Sequence, residues 1–331
     1  MSKSALLGFA LFGIAAMLLT MAIKIGSAQI HVQSGQSIQT AIHSANNGET
    51  IIIHQGEYIE NINFLGKSIT LRSMDPTDQN VVENTIINGG YTESMFEEGI
   101  YPGSVVTFDS GETASSVLSG LTLLGGGAER GGGIYCASSS PHISHCKINE
   151  NLALTPENGP ESETLGGGIY CNTSSPTISH CMISLNVADR GGGVYALSSA
   201  PMIRESKFNE NFSKLMDGAG VYCAQASTPN IINCSFTENH GHGVYCTDSM
   251  AKFVNCIFFG NLANGRFEQV CISMPSGTFC NGEIRRCSDD SRVHIRKYDQ
   301  RSGRWHSLYR FFGKLCGTDA HAAYILISFF Q

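Results

Sequence analysis

Charge is scarce in this chain of 331 residues: Asp, Glu, Lys and Arg together make up 15% of it, well below the usual quarter. The balance is −7, so the basic stripe that binds nucleic acid is missing and that partner is excluded. Leucine is too sparse for a leucine-rich framework. No long stretch of 3.6-residue periodicity occurs between the conserved-looking punctuation marks, which excludes a helical solenoid. Glycine is plentiful at 37 residues, yet it follows no collagen-like period. What remains possible is a chain of many tight turns with a polar, largely uncharged outside, and a 42% hydrophobic content sufficient for a large core.

The charge is uneven. Residues 1–261 carry 11 Lys+Arg against 22 Asp+Glu, and residues 262–331 carry 10 against 6. At the other end, Lys3 precedes an apolar run from Ala5 to Ile23, and Gly26-Ser27-Ala28 supplies small residues for cleavage. Residues 1–28 therefore read as a signal peptide, with an uncleaved membrane anchor as the competing reading. Cleavage leaves no membrane span and places the protein in the periplasm, at the cell surface or in the medium, by bacterial export. No cysteine follows the run, so a lipid-anchored N-terminus is not expected.

The strongest signal is internal repetition. Gly131, Gly166, Gly191, Gly218 and Gly241 open the segments GGGIYC, GGGIYC, GGGVYA, GAGVYC and GHGVYC, at steps of 35, 25, 27 and 23 residues. The long first step contains an insertion around Leu154–Thr164 that reads as a surface loop. Each copy continues with a Ser/Thr-rich turn bearing Pro141, Pro176, Pro201 or Pro229, except that the last lacks the proline. Next come a small residue (Cys146, Cys181, Ser206, Cys234, Cys256) and, two positions on, Ile148, Ile183, Phe208, Phe236 or Phe258. Three further on stands Asn151, Asn186, Asn211, Asn239 or Asn261.

Short runs rich in Ile, Val, Phe and Tyr, broken by Gly, Pro and Ser, predict strands. One copy is too short to bury its own apolar face, whereas stacked copies share a core. Stacked coils about 4.8 Å apart turn equivalent positions into ladders. An asparagine ladder suits a bend, because each amide can bond its neighbours and the turn backbone. The leading glycine of each copy supplies a corner with positive φ. The fold class is all-β: a single-stranded right-handed parallel β-helix over 29–261, with sharp repeats over 131–261. Ile38, Ala41, Ile42 and Ala45 fall at helical spacing after Ser37, a candidate N-cap, with Gly48 as a stop; this short helix is placed to cover the first coil.

The opening SIQTAIHSANNGETIIIHQGEYIENINFLGKSITLRS resembles the N-terminal coils of the secreted, pectin-lyase-like β-helix proteins. The GGGIYC…SSPTISHCMISLN copies are similar to the right-handed β-helix repeats of bacterial secreted and surface proteins in that superfamily. The resemblance covers roughly 30–261. It implies the fold strongly and the activity weakly, since lyases, hydrolases, epimerases, esterases and adhesins share it.

The enzyme motifs the resemblance implies are not assembled here, and no catalytic residue is assigned. Calcium needs several converging oxygens, whereas Asp109, Glu129, Asp189, Glu205 and Asp217 are scattered as turn charges. Arg130 and Arg190 both precede a glycine run, but a copy led by Leu165 separates them. Gly241-His242-Gly243 matches a hydrolase motif by letter, although His242 reads more simply as a variant of the glycine corner. The paired acids of such a motif are present only as Asp289-Asp290 in the tail, and hydrolysis needs two carboxyls at a set separation. His145, His180 and Glu205 share a register, but ligands in a line do not enclose a tetrahedral metal, so they read as bend residues. No metal or cofactor is expected.

Two further sets of ladders remain. Tyr135, Tyr170, Tyr195, Tyr222 and Tyr245 alternate with small apolar residues that face inward, so the rings face outward. They form either an exposed stripe for stacking on sugar rings or a column of mutually stacked rings under the inserted loop. Cys136, Cys171, Cys223 and Cys246 hold one register, and Cys146, Cys181, Cys234 and Cys256 another. The copy with Ala196 and Ser206 leaves neighbour pairs 136–171, 146–181, 223–246 and 234–256. Ladder spacing suits a disulfide, parallel side chains do not, and buried free thiols are the alternative.

After Asn261 the pattern stops. Residues 262–331 are basic, with Trp305 and four unregistered cysteines, and read as a cap or as the product of a frame shift or truncation near residue 265; the change of composition favours the latter. The first functional reading is an exported β-helix that binds polysaccharide or cell-surface glycan, or serves as a surface interaction or structural protein, without catalysis. The alternative is a polysaccharide-acting lyase, hydrolase or epimerase. Oligomeric state leaves no mark in the sequence.

Overall fold

The computed structural model describes residues 29–98, 100–154, 163–249, 251–263 and Val270, and beyond these only the backbone of short strands between 266 and 327. Residues 1–28, expected from the sequence to be a signal peptide, residues 155–162 of the insertion, Asp289-Asp290 and most of the tail lie outside the described residues.

The chain winds into a parallel β-helix, and its strands stack into three long sheets. The first begins at Gln29–Val32 and holds the strand after the Ser/Thr-rich turn of each copy: His142–Ser144, Thr177–Ser179, Met202–Arg204, Asn230–Ile232 and Lys252–Val254. The second holds Lys147–Asn149, Met182–Ser184, Lys207–Asn209, Ser235–Thr237 and Cys256–Phe259. The third holds the tyrosine strands, from Ile134–Ala137 to Val244–Thr247. A four-stranded ribbon from Gly127–Ala128 to Phe212–Ser213 closes the coils. Equivalent residues pair directly, as in Tyr170 with Tyr195 and Ile183 with Phe208. The stack continues one strand past Asn261: Val270–Ser273 pairs in parallel with Val244–Thr247.

One core runs the length of the stack. Ile143, Ile178, Ile203, Ile231 and Phe253 face it from the first sheet, and Ile148, Ile183, Phe208, Phe236 and Phe258 from the second. The three phenyl rings lie in a pile with centroids 4.6 and 4.8 Å apart. At the N-terminal end, helix α1 (Ile38–Ser44) sets Ile38, Ala41 and Ile42 on this core. Ser37 caps it, accepting from the Thr40 amide at 3.1 Å. Glu60 accepts from the Ile38 and Gln39 amides, and Lys67 donates to the Ile42, His43 and Ala45 carbonyls. Both ends of α1 thus find partners in the coil it covers. It stops at Ser44, and Gly48 (φ +88°) serves the next turn.

The corners are single residues at positive φ, most of them not glycine. His145, His180, Glu205, Asn233 and Asn255 form one such column between the first and second sheets, with φ from 50° to 54–55°. Just past it, the second cysteine register has a definite task. The Sγ–H groups of Cys146, Cys181, Cys234 and Cys256 donate to the carbonyl two residues back at 3.2–3.4 Å, and Ser206 does the same with its hydroxyl at 2.8 Å. The other register, Cys136, Cys171, Ala196, Cys223 and Cys246, is wholly buried apolar filling. All eight are free thiols, so the disulfides 136–171, 146–181, 223–246 and 234–256 are not formed; the side chains run parallel, and those of the second register turn to carbonyls. The neighbouring thiol and burial hold Cys136 and Cys223 well above the ordinary thiol range, which keeps them unreactive. The two registers separate by mutation: Cys181→Ser should leave unfolding within roughly 0.5 kcal/mol of wild type. Cys171→Ser, which buries a hydroxyl among apolar groups, should cost about 2 kcal/mol; denaturant titration measures both.

Two polar ladders complete the coils. The side chains of Asn151, Asn186, Asn211, Asn239 and Asn261 stand in a buried column, each amide donating to a strand carbonyl and the first four also to the next Oδ1 at 2.7–3.1 Å. Ser139, Ser174, Ser199, Ser227 and Ser249 form another, the backbone N–H of each of the first four donating to the next hydroxyl at 3.0–3.1 Å.

Candidate functional site

The tyrosine strands point their rings away from the main core, as alternation requires, but the rings are not an exposed stripe. They stack on one another with centroids 5.0–5.8 Å apart. Tyr170, Tyr195 and Tyr222 are buried with Ala224 in a second, small core; Tyr135, Tyr245, Leu165 and Leu197 pack against it. The exposed-stripe reading is therefore corrected for the three middle rings: neighbouring side chains cover the faces a sugar would need. Only Tyr135 and Tyr245, at the ends, are half-buried.

Arg190 is the centre of this cover. Its guanidinium lies 5.3 Å from the centroid of the Tyr222 ring and donates to the Tyr222 hydroxyl at 2.7 Å. It also pairs with Glu163 at 2.8 Å and with Asp217 at 3.3 Å. Burial opposes its charge, but the hydrogen bond to Glu163 and the Tyr222 contact outweigh that, so Arg190 stays firmly protonated. Burial pushes the Asp217 carboxyl up, against the opposing pull of Arg190 and His242. Burial raises the Tyr170, Tyr195 and Tyr222 phenols as well. Arg130 lies over Tyr170 at 5.9 Å. It is separated from Arg190 by the bridge residue Leu165. A proton-abstracting arginine needs a neutral guanidine, and this site holds Arg190 in the opposite state.

The remaining acids are dispersed. Asp109 accepts from Asn63 and Ser110, Glu129 pairs with Arg130, Asp189 with Lys214, and Glu205 with His180 at 2.8 Å. No three His, Cys, Asp or Glu side chains converge on a metal position among the described residues. His242 is buried, its Nδ1 2.9 Å from the Met216 carbonyl.

The outward rows of the sheets have a different character. From Val117 to Phe259 no strand of the three long sheets contains Asp or Glu; their charged residues are Lys147, Arg204, Lys207 and Lys252. Sequence reading missed this feature, since its members come from different copies and from two sheets and show only when the strands are aligned. It missed the serine ladder too, because the extra residue at Gln225-Ala226 moves Ser227 out of step.

Residues 158–268 match the family described as right handed beta helix region. The β-helix expected from the sequence resemblance is thus the fold observed. No curated protein sequence matches the chain. Among solved structures, the β-helix is similar to pectate lyase Pel9A, with 13% identity, a TM-score of 0.45 and coverage of 68% of this chain. The chain spans 64% of that lyase's length. It is also similar to pectin methylesterase from carrot, with 12% identity, a TM-score of 0.42 and coverage of 76% and 90% of the two chains. For pectin methylesterase from Aspergillus niger the values are 14%, 0.42, 74% and 86%. No helix among the described residues is long and apolar enough to cross a membrane.

Proposed function

We propose that this protein is an exported β-helix that binds carbohydrate on its outer sheet faces and does not cleave it. The observation that carries the reading is the absence of acids from the strands of the three long sheets between Val117 and Phe259. A glycosidase needs two carboxyls facing one bond, and a calcium-dependent lyase needs several around one ion. The acids near the tyrosine column, Glu163 and Asp217, are both engaged by Arg190. Export is supported by the apolar run Ala5–Ile23.

A glycan array with the full chain, run beside reducing-sugar and unsaturated-product assays on the bound glycans, tests this. Binding with no new product is the expected result; turnover of any bound glycan overturns it. Because Tyr170 and Tyr195 are buried, Tyr170→Ala with Tyr195→Ala should lower stability rather than remove a sugar platform selectively.

A further inference from the structure

The corner between the first and second sheets gathers cations that outnumber its acids among the described residues. Arg204 ends its strand in the first sheet and Lys207 begins the next strand in the second; both are exposed. Lys147 occupies the Lys207 register two coils earlier, with Met182 between. At about 4.8 Å per coil, the two ammonium-bearing positions lie roughly 10 Å apart along the stack. None of the three makes an ion pair among the described residues. Three histidines share the surface. His145 and His180 stack with centroids 4.6 Å apart and planes 5° apart, and His142 Nε2 sits 3.4 Å from Ser179 Oγ.

We propose that this corner is a docking site for a linear anionic glycan, bearing sulfate esters or carboxylates, whose grip tightens as pH falls. The proposal rests on the carbohydrate-binding reading and assigns it a ligand class, a place and a control. Three fixed cations face one acid, Glu205, which is already bonded to His180. Further along the column stand Asn233 and Asn255, which are uncharged and bonded to each other. Towards the N-terminus, Ser119 and Ser144 separate the corner from Arg72, whose charge Asp75 partly offsets. At the far ends of the second-sheet strands, Glu150 and Glu210 accept from Asn149 and Asn209, three residues from Lys147 and Lys207. Lys252 lies in the His142 row, four coils on. The immediate field is therefore positive.

That field and partial burial depress the imidazoles. Burial is the larger cause for His142, followed by Arg204; for His145 it is burial, then His180 and His142. Without ligand both take up a proton less readily than an ordinary imidazole. A bound anion favours the protonated rings, so binding takes up protons and affinity rises as pH falls. Sulfate esters keep their charge throughout this range.

The repeat supplies its own replacements, which protects the fold. Thr177 stands in the register of His142, Asn233 in that of His145, Ser179 in that of Arg204 and Ser235 in that of Lys207. Binding of full-length protein to labelled dextran sulfate and carboxymethylcellulose is measured between pH 7.5 and 5 at fixed ionic strength, with neutral dextran and a single-stranded DNA oligomer in parallel. Wild type should bind dextran sulfate, carboxymethylcellulose or both roughly tenfold more tightly at pH 5 than at pH 7.5, a change equal to one unit of imidazole pKa; which of them binds separates sulfate from carboxylate as the recognised group. H142T/H145N should keep the pH 7.5 affinity and lose the gain. R204S/K207S should lose binding at both pH values, with an unchanged circular dichroism spectrum. The proposal is overturned if the histidine variant keeps the gain, if the Arg/Lys variant binds as wild type, or if DNA binds as tightly as dextran sulfate. If neither polyanion binds while the array yields a neutral glycan, this corner site fails and the carbohydrate reading stands; an empty array removes both.

Discussion

Gly168→Ala is expected to cost about 3 kcal/mol and to lower Tm by roughly 10 °C, although it adds one methyl group. Gly168 is the third glycine of its copy, and its φ is not in the left-handed region. The constraint is space: a Cβ there would lie 2.6 Å from the Gly193 carbonyl oxygen of the next coil and 3.0 Å from Asn186 Nδ2. Neither can yield alone. The carbonyl belongs to the inter-coil ladder, accepting from the Ile169 amide at 2.8 Å, and the amide belongs to the asparagine column. Two coils must therefore separate at that corner. Gly133, Gly193 and Gly220 meet the following coil's carbonyl at 2.6, 2.5 and 2.3 Å, so each should respond alike. Thermal unfolding followed by circular dichroism measures the loss. The contrasting change is Ala219→Gly at the second position, where a side chain is already accommodated; it should stay within roughly 1 kcal/mol of wild type.

The difference between these positions shows what was legible in the sequence. The leading glycine could be read as a corner from its residue type, and Gly131, Gly166, Gly191 and Gly218 have φ of 54–67°. The third glycine answers to a carbonyl some 25 residues away, which becomes visible only once the copies are superimposed. The asparagine, tyrosine and phenylalanine columns were legible because a ladder forces the same residue type into the same register. Of the helix caps, Ser37 was legible and Glu60 and Lys67 were not: these two lie in early coils that do not repeat, and their partners are more than 20 residues away. His145, His180 and Glu205 were legible as bend residues from their shared register, whereas the corner at Leu185 was hidden, because positive φ at such a residue is imposed by the closed coil against local preference. The tyrosine column was legible as a column pointing outward. Whether it is exposed or stacked and covered stayed open in the sequence, since the cover is assembled from Arg130, Leu165, Arg190 and Leu197 in different coils.

Asn186→Ala should be the more damaging of the two core substitutions, with an expected loss of about 4 kcal/mol. The Asn186 Oδ1 accepts from both the backbone N–H and the Nδ2 of Asn151, at 3.1 Å each. Its Nδ2 donates to the Ile148 carbonyl at 2.9 Å and to Asn211 Oδ1 at 3.0 Å. Alanine leaves these groups short of partners in a column with no solvent exposure, and each buried loss costs about 1–3 kcal/mol before any relaxation. Asn186→Asp separates hydrogen bonding from shape. A carboxylate of the same outline still accepts from Asn151 but has no hydrogen for Ile148 or Asn211; the neutral acid recovers one donor. Burial would raise the folded-state pKa of that acid above its unfolded value of about 3.9. The variant should therefore be closest to wild type at low pH and lose stability progressively as pH rises through that window. Denaturant unfolding of both variants between pH 4 and 8 provides the measurement. A pH-independent difference between Asn186→Asp and wild type would mean that the column is held by packing rather than by its amide hydrogen bonds.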